Sequence, residues 1–363
     1  MKIISPNVEL IRQESGLEGI FKQIERAGRT CYKSEDKIDK YSAKVFVERM
    51  IESKHYAMLE HGTVYLTLVI NNRTRDNEVR YPWYSSNAKV RYNEVFSYVQ
   101  SVFIGNPYSV VNLYQNKDYT ETTMCITTNY RVIVENSWQG IMHEFLSEPT
   151  LYHERRIALK FTTNIGVTRE CNRHRTLINP FESSIAEEST RYCNYSKDKF
   201  DNQVTYCKPA WITQEEIDSY NERAIRGEFE GRFDNNETEA LSVYLNCLFE
   251  CQKAYNKLIK LGWKPQQARE VLPLATKSEV VYTAFAYDWK HWFDLRLYGT
   301  TGKPHPNILE VAEKASKLLI EEDLIDIDKS LWDLIYPPQE HSEISDKIKY
   351  PCDDEEEGPL KFE

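Results

Sequence analysis

Between residues 173 and 192 the chain concentrates side chains that can grip an anion. Arg173-His174-Arg175 opens the stretch and Ser189-Thr190-Arg191-Tyr192 closes it, with Glu187 and Glu188 just before the serine. Arginine offers a planar fork of donors that matches phosphate oxygens two at a time. A neighbouring serine hydroxyl adds a neutral donor to the same group. The set suits a phosphate group. It equally suits a solvated charged loop or an RNA-contacting patch, and residue types alone leave all three open.

Composition narrows the field. The 363 residues carry 46 Lys+Arg against 56 Asp+Glu, a formal net charge of −10, which disfavours tight sequence-neutral DNA binding. Hydrophobic residues at 41% and charged residues at 28% describe a globular chain. No apolar run approaches the roughly 20 residues of a membrane span, and residues 1–7 lack an apolar signal region. The eight cysteines contain no Cys-x-x-Cys pair, so a reduced, cytoplasmic protein is expected. Cys247 and Cys251, four apart in a helical pattern, read as small core residues. Gly-x-Gly-x-x-Gly and P-loop patterns are absent, so a nucleotide cofactor would not be held in either of those ways.

The elements that must position the polar stretch follow from periodicity. A helix is expected over 17–27 with Ala27-Gly28 as its stop, and a second one is capped by Ser42. Residues 63–70 are β-branched and read as a strand, as do 157–163. From Asn71 to Glu154 the texture is Asn-, Tyr- and Arg-rich, with strand-like pieces at 95–103 and 125–134 and a short helix at 138–146. Its scattered apolar content reads as an insertion on a core, not a separate domain. A helical segment after Gly166 carries Arg169, Glu170 and Arg173. A long helix over 239–261 ends at Gly262. Pro265 starts the next helix and Pro273 stops it. Ser278 is expected to cap a helix to about Leu295, and 308–319 forms a last amphipathic helix. One domain over 1–336 and an acidic tail over 337–363 are expected. Residues 353–363 hold six acids and one lysine, net −5, half of the total charge.

Arg173-His174-Arg175, a spacer, then Ser189-x-Arg191-Tyr192 resembles the signature of the flavin-dependent thymidylate synthases, the ThyX family. Four further blocks follow the family's order. Arg29-Thr30-Cys31-Tyr32 stands for Arg-x-Ser-Phe, and His55 to Glu60-His61 for the histidine-rich segment. Ala268-Arg269 to Leu272-Pro273 resembles Ala-Arg-x-x-Leu-Pro, and Asp288 to Leu295-Arg296 resembles the helix ending in Leu-Arg. The spacer holds thirteen residues where the family has seven, so about six residues, 178–183, are inserted. Phe285 and Tyr287 stand where many members have Asn and Arg.

The resemblance implies an α+β fold, a central mixed or antiparallel sheet packed with helices. It implies reductive methylation of dUMP to dTMP without a cysteine nucleophile. Carbon would come from 5,10-methylenetetrahydrofolate and hydride from FAD recharged by NADPH. Arg296 would stabilise the ionised uracil. Glu170, Arg173, Glu187, Ser189, Arg191 and Arg269 would join Arg296 around dUMP. His55, Glu60, Arg173, His174, Arg175, Glu187, His291 and His305 would contact FAD, and no metal is expected. The implied assembly is a homotetramer with shared active sites, in which Arg269 and Arg296 could serve a site built with another chain's Arg173–Tyr192 segment. The partners are dUMP and folate, with no nucleic acid and no membrane. Two other readings remain beside it: a nucleic-acid-binding module, and a scaffold that keeps the fold without activity.

Overall fold

A computed structural model describes residues 1–71, 79–80, 99–172, 184–225 and 240–324. The strands are β1 (Lys2–Ile4), β2 (Asn7–Ile11), β3 (Thr63–Asn71), β4 (Val79–Arg80), β5 (Val110–Gln115), β6 (Glu121–Asn129), β7 (Arg156–Asn164), β8 (Ser184–Glu187), β9 (Thr205–Cys207) and β10 (Lys277–Phe285). The helices are α1 (Gly16–Tyr32), α2 (Ser42–Glu52), α3 (Tyr130–Glu135), α4 (Gln139–Phe145), α5 (Ile165–Cys171), α6 (Gln214–Ile225), α7 (Ala240–Lys260), α8 (Pro265–Ala268), α9 (Ala286–Arg296) and α10 (Pro306–Glu321). A short 3-10 helix spans Tyr56–His61.

The fold is α+β, but in place of one central sheet there are two four-stranded antiparallel sheets. The first runs β2-β7-β10-β8 and the second β4-β3-β6-β5, while β1 and β9 form a small parallel pair. In the first sheet β10 pairs with β7 from Lys277↔Asn164 to Phe285↔Arg156. Its other edge takes β8, from Val280↔Glu187 to Thr283↔Ser184. Being paired on both edges, β10 has eight of its nine residues buried on one side or the other, from Lys277 to Phe285. The helix expected from Ser278 is therefore a strand up to Phe285, and α9 begins only at Ala286. Val280, Val281 and Thr283 are β-branched, and the ladder satisfies their backbone groups where a helix would crowd them.

Other boundaries move for similar reasons. Strand β6 stops at Asn129, whose side chain accepts from Val132 N and starts α3, so residues 130–134 are helical. Residues 99–102 are helical as well, and residues 95–98 lie outside the described part of the chain. Asn164 performs the same cap for α5, accepting from Val167 N at 2.9 Å. The scattered apolar residues of the 99–146 stretch gather into one core with α1 and α2, through Phe103, Met124, Ile126, Trp138 and Phe145. The first sheet packs on α9 and α10 through Leu159, Phe161, Trp289, Phe293 and Val311. In α7 the buried face is Ser242, Leu245, Leu248, Gln252 and Tyr255. That face excludes the two cysteines expected in the core. Cys247 is exposed and Cys251 half-buried.

Gly28 is not a helix stop. Helix α1 continues to Tyr32 and ends at Lys33, which adopts a left-handed φ of 47°. Gly28 instead lets α1 approach α2: a Cβ there would lie 2.4 Å from Cζ of Phe46. Phe46 is buried, with the Arg29 guanidinium 5.0 Å from its ring centre. Gly28→Ala is expected to lower unfolding free energy by about 1–3 kcal/mol, because overpacking outweighs the gain in helix propensity. Chemical denaturation of the two proteins measures this, and an equal or higher midpoint would contradict it.

Candidate active site

The segment after β8 turns tightly. Ser189 N–H donates to Cys31 O at 2.8 Å, and the Ser189 carbonyl accepts from Tyr192 N and Cys193 N at 3.1 and 2.9 Å. This turn holds Ser189 and Arg191 beside the end of α1. There Tyr32 and Tyr192, both exposed, meet with ring centres 5.4 Å apart. The Arg191 guanidinium lies 5.4 Å from the centre of the Tyr192 ring. Arg269, just after α8, reaches the same turn and donates from Nη1 to Thr190 Oγ1 at 3.2 Å. Ser189, Arg191 and Arg269 are thus brought together within one chain, and Arg269 needs no second chain to reach this turn.

Arg296 ends α9 and faces the end of α5. Its Nη2 donates to the Glu170 carbonyl at 3.0 Å, and its Nη1 stands 3.7 Å from a Glu170 carboxylate oxygen. Close by, Tyr282 OH donates to Asn172 Oδ1 at 2.6 Å. Between the two groups Glu187 accepts from Ser278 Oγ at 2.8 Å. Arg173, His174, Arg175 and the inserted 178–183 lie outside the described residues.

Beneath the turn is a charge network that residue-by-residue reading missed. Lys277 Nζ contacts Glu188 Oε2 at 2.6 Å and Glu279 Oε1 at 2.9 Å. Lys33 and Lys160 reach Glu279 Oε2 at 2.9 and 2.6 Å. Burial would raise the Glu279 carboxyl, but the three lysines outweigh it and hold the group well below the usual range. Burial likewise opposes the charge on Lys277, and Glu188 and Glu279 hold it above its ordinary value. The sequence signal was the alternation Lys277-x-Glu279, which places both on one face of a strand once the segment is read as one.

The histidine-rich block divides. His55 is exposed ahead of the short helix. Glu60 is buried, accepts from Arg131 Nη1 at 2.5 Å and bonds Ser184. Burial raises its carboxyl, and Arg131 offsets only part of that. His61 is fully buried, with Nδ1 2.9 Å from Thr283 Oγ1. Burial, with the charge of Arg156 added, pulls its imidazole down to about 3. Arg156 spans the two sheets, donating to Thr63 Oγ1 on β3 at 3.4 Å as well as to Glu60 O at 3.1 Å and Ser184 Oγ at 3.3 Å. It also faces the Phe285 ring at 5.5 Å, and burial lowers it to about 10. A cavity of about 200 Å³ opens beside Arg156, with Gln13, Tyr65, Glu148 and Thr283 in its wall. None of the motif residues lines it, so it is separate from the anion-gripping turn.

Residues 151–322 match the family model described as thymidylate synthase complementing protein. The family resemblance is shown. The matched span contains Glu170, Ser189, Arg191, Arg269 and Arg296, whereas His55 and Glu60 precede it. No curated protein matches the chain. Two solved structures of the UMP/dUMP methylase PolB from Streptomyces cacaoi, bound with 5-Br dUMP and 5-Br UMP, are similar to it. Their identities are 15% and 14% and their TM-scores 0.34 and 0.35; each likeness covers 88% of this chain, and 93% and 92% of theirs. At this distance the likeness bears on neither substrate nor site.

The thymidylate synthase complementing protein family match raises the question of a flavin, which the donor set answers in part. Glu60 and Glu187 are already engaged by Arg131 and Ser278. His305 caps α10, its Nδ1 accepting from Asn307 N at 3.2 Å, and His291 is half-buried on α9. Phe285 and Tyr287 are buried and stacked on one another, ring centres 5.3 Å apart. Among the described residues these do not make a flavin cradle within one chain.

A pH dependence follows from His61. Its folded pKa lies below the unfolded one, so the unfolded chain takes up the proton first as pH falls. Stability is then lost between about pH 6.5 and about 3, by up to about 1.4 kcal/mol per pH unit. Glu279, also depressed when folded, adds loss from the ordinary carboxylate range downward. Urea midpoints of the wild type and His61→Gln across pH 7 to 4 test this. The variant is expected to show a shallower fall above pH 5, and identical slopes would contradict the assignment.

Proposed function

We propose that the chain is a nucleotide methyltransferase of the flavin-dependent thymidylate synthase type, converting dUMP to dTMP. The observation that carries it is the convergence of Ser189, Arg191 and Arg269 on one turn, inside the span that matches the family. Two guanidinium groups and a hydroxyl are the donors a phosphate monoester needs. Glu170, Glu187 and Arg173 belong to the same nucleotide site in this reading.

Methylation at C5 of uracil requires electron density in the ring. The cysteine route is disfavoured. Burial pushes the Cys31, Cys171 and Cys193 thiols up to about 12, away from the thiolate a nucleophile needs. Cys352 lies outside the described residues, in the acidic tail. Arg296 takes the role instead: its guanidinium stays charged and would stabilise the pyrimidine anion ionised at N3, making C5 nucleophilic. Glu170 orients it at the end of α9, through its carbonyl at 3.0 Å and its carboxylate at 3.7 Å.

By the resemblance, FAD reduced by NADPH would supply hydride when bound, and 5,10-methylenetetrahydrofolate would supply the carbon. His55, Glu60, Arg173, His174, Arg175, Glu187, His291 and His305 are the residues proposed to meet FAD. Since the described ones do not cradle it in one chain, the reading places it between chains of a homotetramer. One catalytic domain over 1–336, including the 71–154 insertion, and an acidic tail over 337–363 belong to the same reading, as does a cytoplasmic setting. Among the described residues no helix is long and apolar enough to cross a membrane.

The test is release of tritium from C5 of dUMP, dependent on folate and NADPH. Arg296→Ala is expected to lower turnover by about 100-fold or more, the loss seen when a charge-stabilising donor is removed. Cys352→Ala is expected to retain full activity, and its inactivation would mean a different mechanism. Ser189→Ala is expected to raise the KM for dUMP by about tenfold, worth about 1.4 kcal/mol, with a smaller change in turnover. A purified protein that is colourless and cannot be reconstituted with FAD would sink the flavin part alone.

A further inference from the structure

Glu188 lies outside the set of residues given a role above, yet it makes three contacts that converge on one arc of chain. Its backbone N–H donates to Glu279 O at 2.7 Å, tying the start of the arc to β10. One carboxylate oxygen takes Lys277 Nζ at 2.6 Å. The other accepts from Tyr195 OH at 3.0 Å. Tyr195 is the residue that follows the arc 189–194, so the two ends of the arc are strapped together across a single buried carboxylate. Both Glu188 and Tyr195 are buried, at 4% and 3% exposure. Lys277 is itself fixed to Glu279, which Lys33 and Lys160 also hold. The arc cannot shift without breaking a buried, charge-assisted contact that has no water to replace it.

We infer that Glu188 is a positioning residue: with Lys277 and Tyr195 it closes the base of the 189–194 arc and so presents Ser189 and Arg191 to the phosphate group of the substrate. This rests on the nucleotide reading above for the identity of the ligand, but not for the ordering of the arc. The physical reason is preorganisation. An arc held in one conformation before binding loses no chain entropy when an anion arrives, whereas a loose arc must be ordered by the ligand. The strap therefore acts on affinity for the phosphate-bearing ligand and leaves the reacting carbon untouched.

Two variants separate this from a purely structural role. Tyr195→Phe removes one hydroxyl and keeps the packing against Phe200 and Tyr255. Lys277→Met removes the cation. Hydrogen exchange in a peptide covering 189–194 is measured in the full-length protein, together with binding of dUMP and of deoxyuridine, which lacks the phosphate. Exchange is expected to quicken about tenfold in both variants. Affinity for dUMP is expected to fall about fivefold in Tyr195→Phe, as a raised KM at nearly constant kcat, with deoxyuridine binding unchanged. Unaltered exchange in both variants overturns the strap. Faster exchange with unaltered dUMP affinity overturns its role in binding. Faster exchange in a protein whose wild type does not bind dUMP upholds the ordering of the arc and sinks the nucleotide reading instead.

Discussion

The architecture turns on one constraint: β10 is hydrogen-bonded along both edges. Its pairing with β7 over the whole strand and with β8 over four residues leaves no freedom of register. A slip of one residue would carry Lys277 and Glu279 to the face that holds Ser278, Val280 and Tyr282. In the observed register one face delivers Lys277 and Glu279 to Glu188 and Lys33, and Thr283 to His61. The other delivers Ser278 to Glu187 and Tyr282 to Asn172. The strand thus aligns the anion-gripping turn on one side with the α5–α9 contact of Arg296 on the other.

Charge compensation is the second layer. Three lysines around Glu279 and Glu188 would be costly to bury singly, and the carboxylates would be costly without them. Together they form a closed set beneath the turn, and its hydrogen bonds reach backbone as well as side chains. Arg156 performs a comparable task between the two sheets. It donates to Thr63 on β3 as well as to Glu60 O and Ser184 while facing Phe285, so the second sheet is anchored to the first by a buried guanidinium. Phe285 and Tyr287 are packed into this junction, which explains why aromatic residues occupy those positions of the 285–296 block.

The second sheet joins residues 99–146 to the helices near the start of the chain. Strand β6 pairs with β3 along its full length, and the apolar residues that follow close over α1 and α2. From the same stretch Arg131 reaches Glu60 of the histidine-rich block, so this sheet also positions that block.

The candidate site was named in the sequence as motif, the Ser189-x-Arg191-Tyr192 cluster from residue type and Arg269 and Arg296 from the family resemblance. So were β3, β7, the long α7 ending at Gly262 with φ of 95°, and α10 behind Pro306. Local chemistry sets those features, since apolar periodicity, proline and glycine act within a few residues. Tertiary structure alone decided the remainder. Residues 277–285 became a strand because two edges were waiting for it, and Gly28 became a helix contact because Phe46 lies across it. Glu188 became a strap because Lys277 and Tyr195, distant in sequence or across a turn, meet at its carboxylate. Such contacts have no signature in spacing, for they are created by pairing partners that only folding brings together.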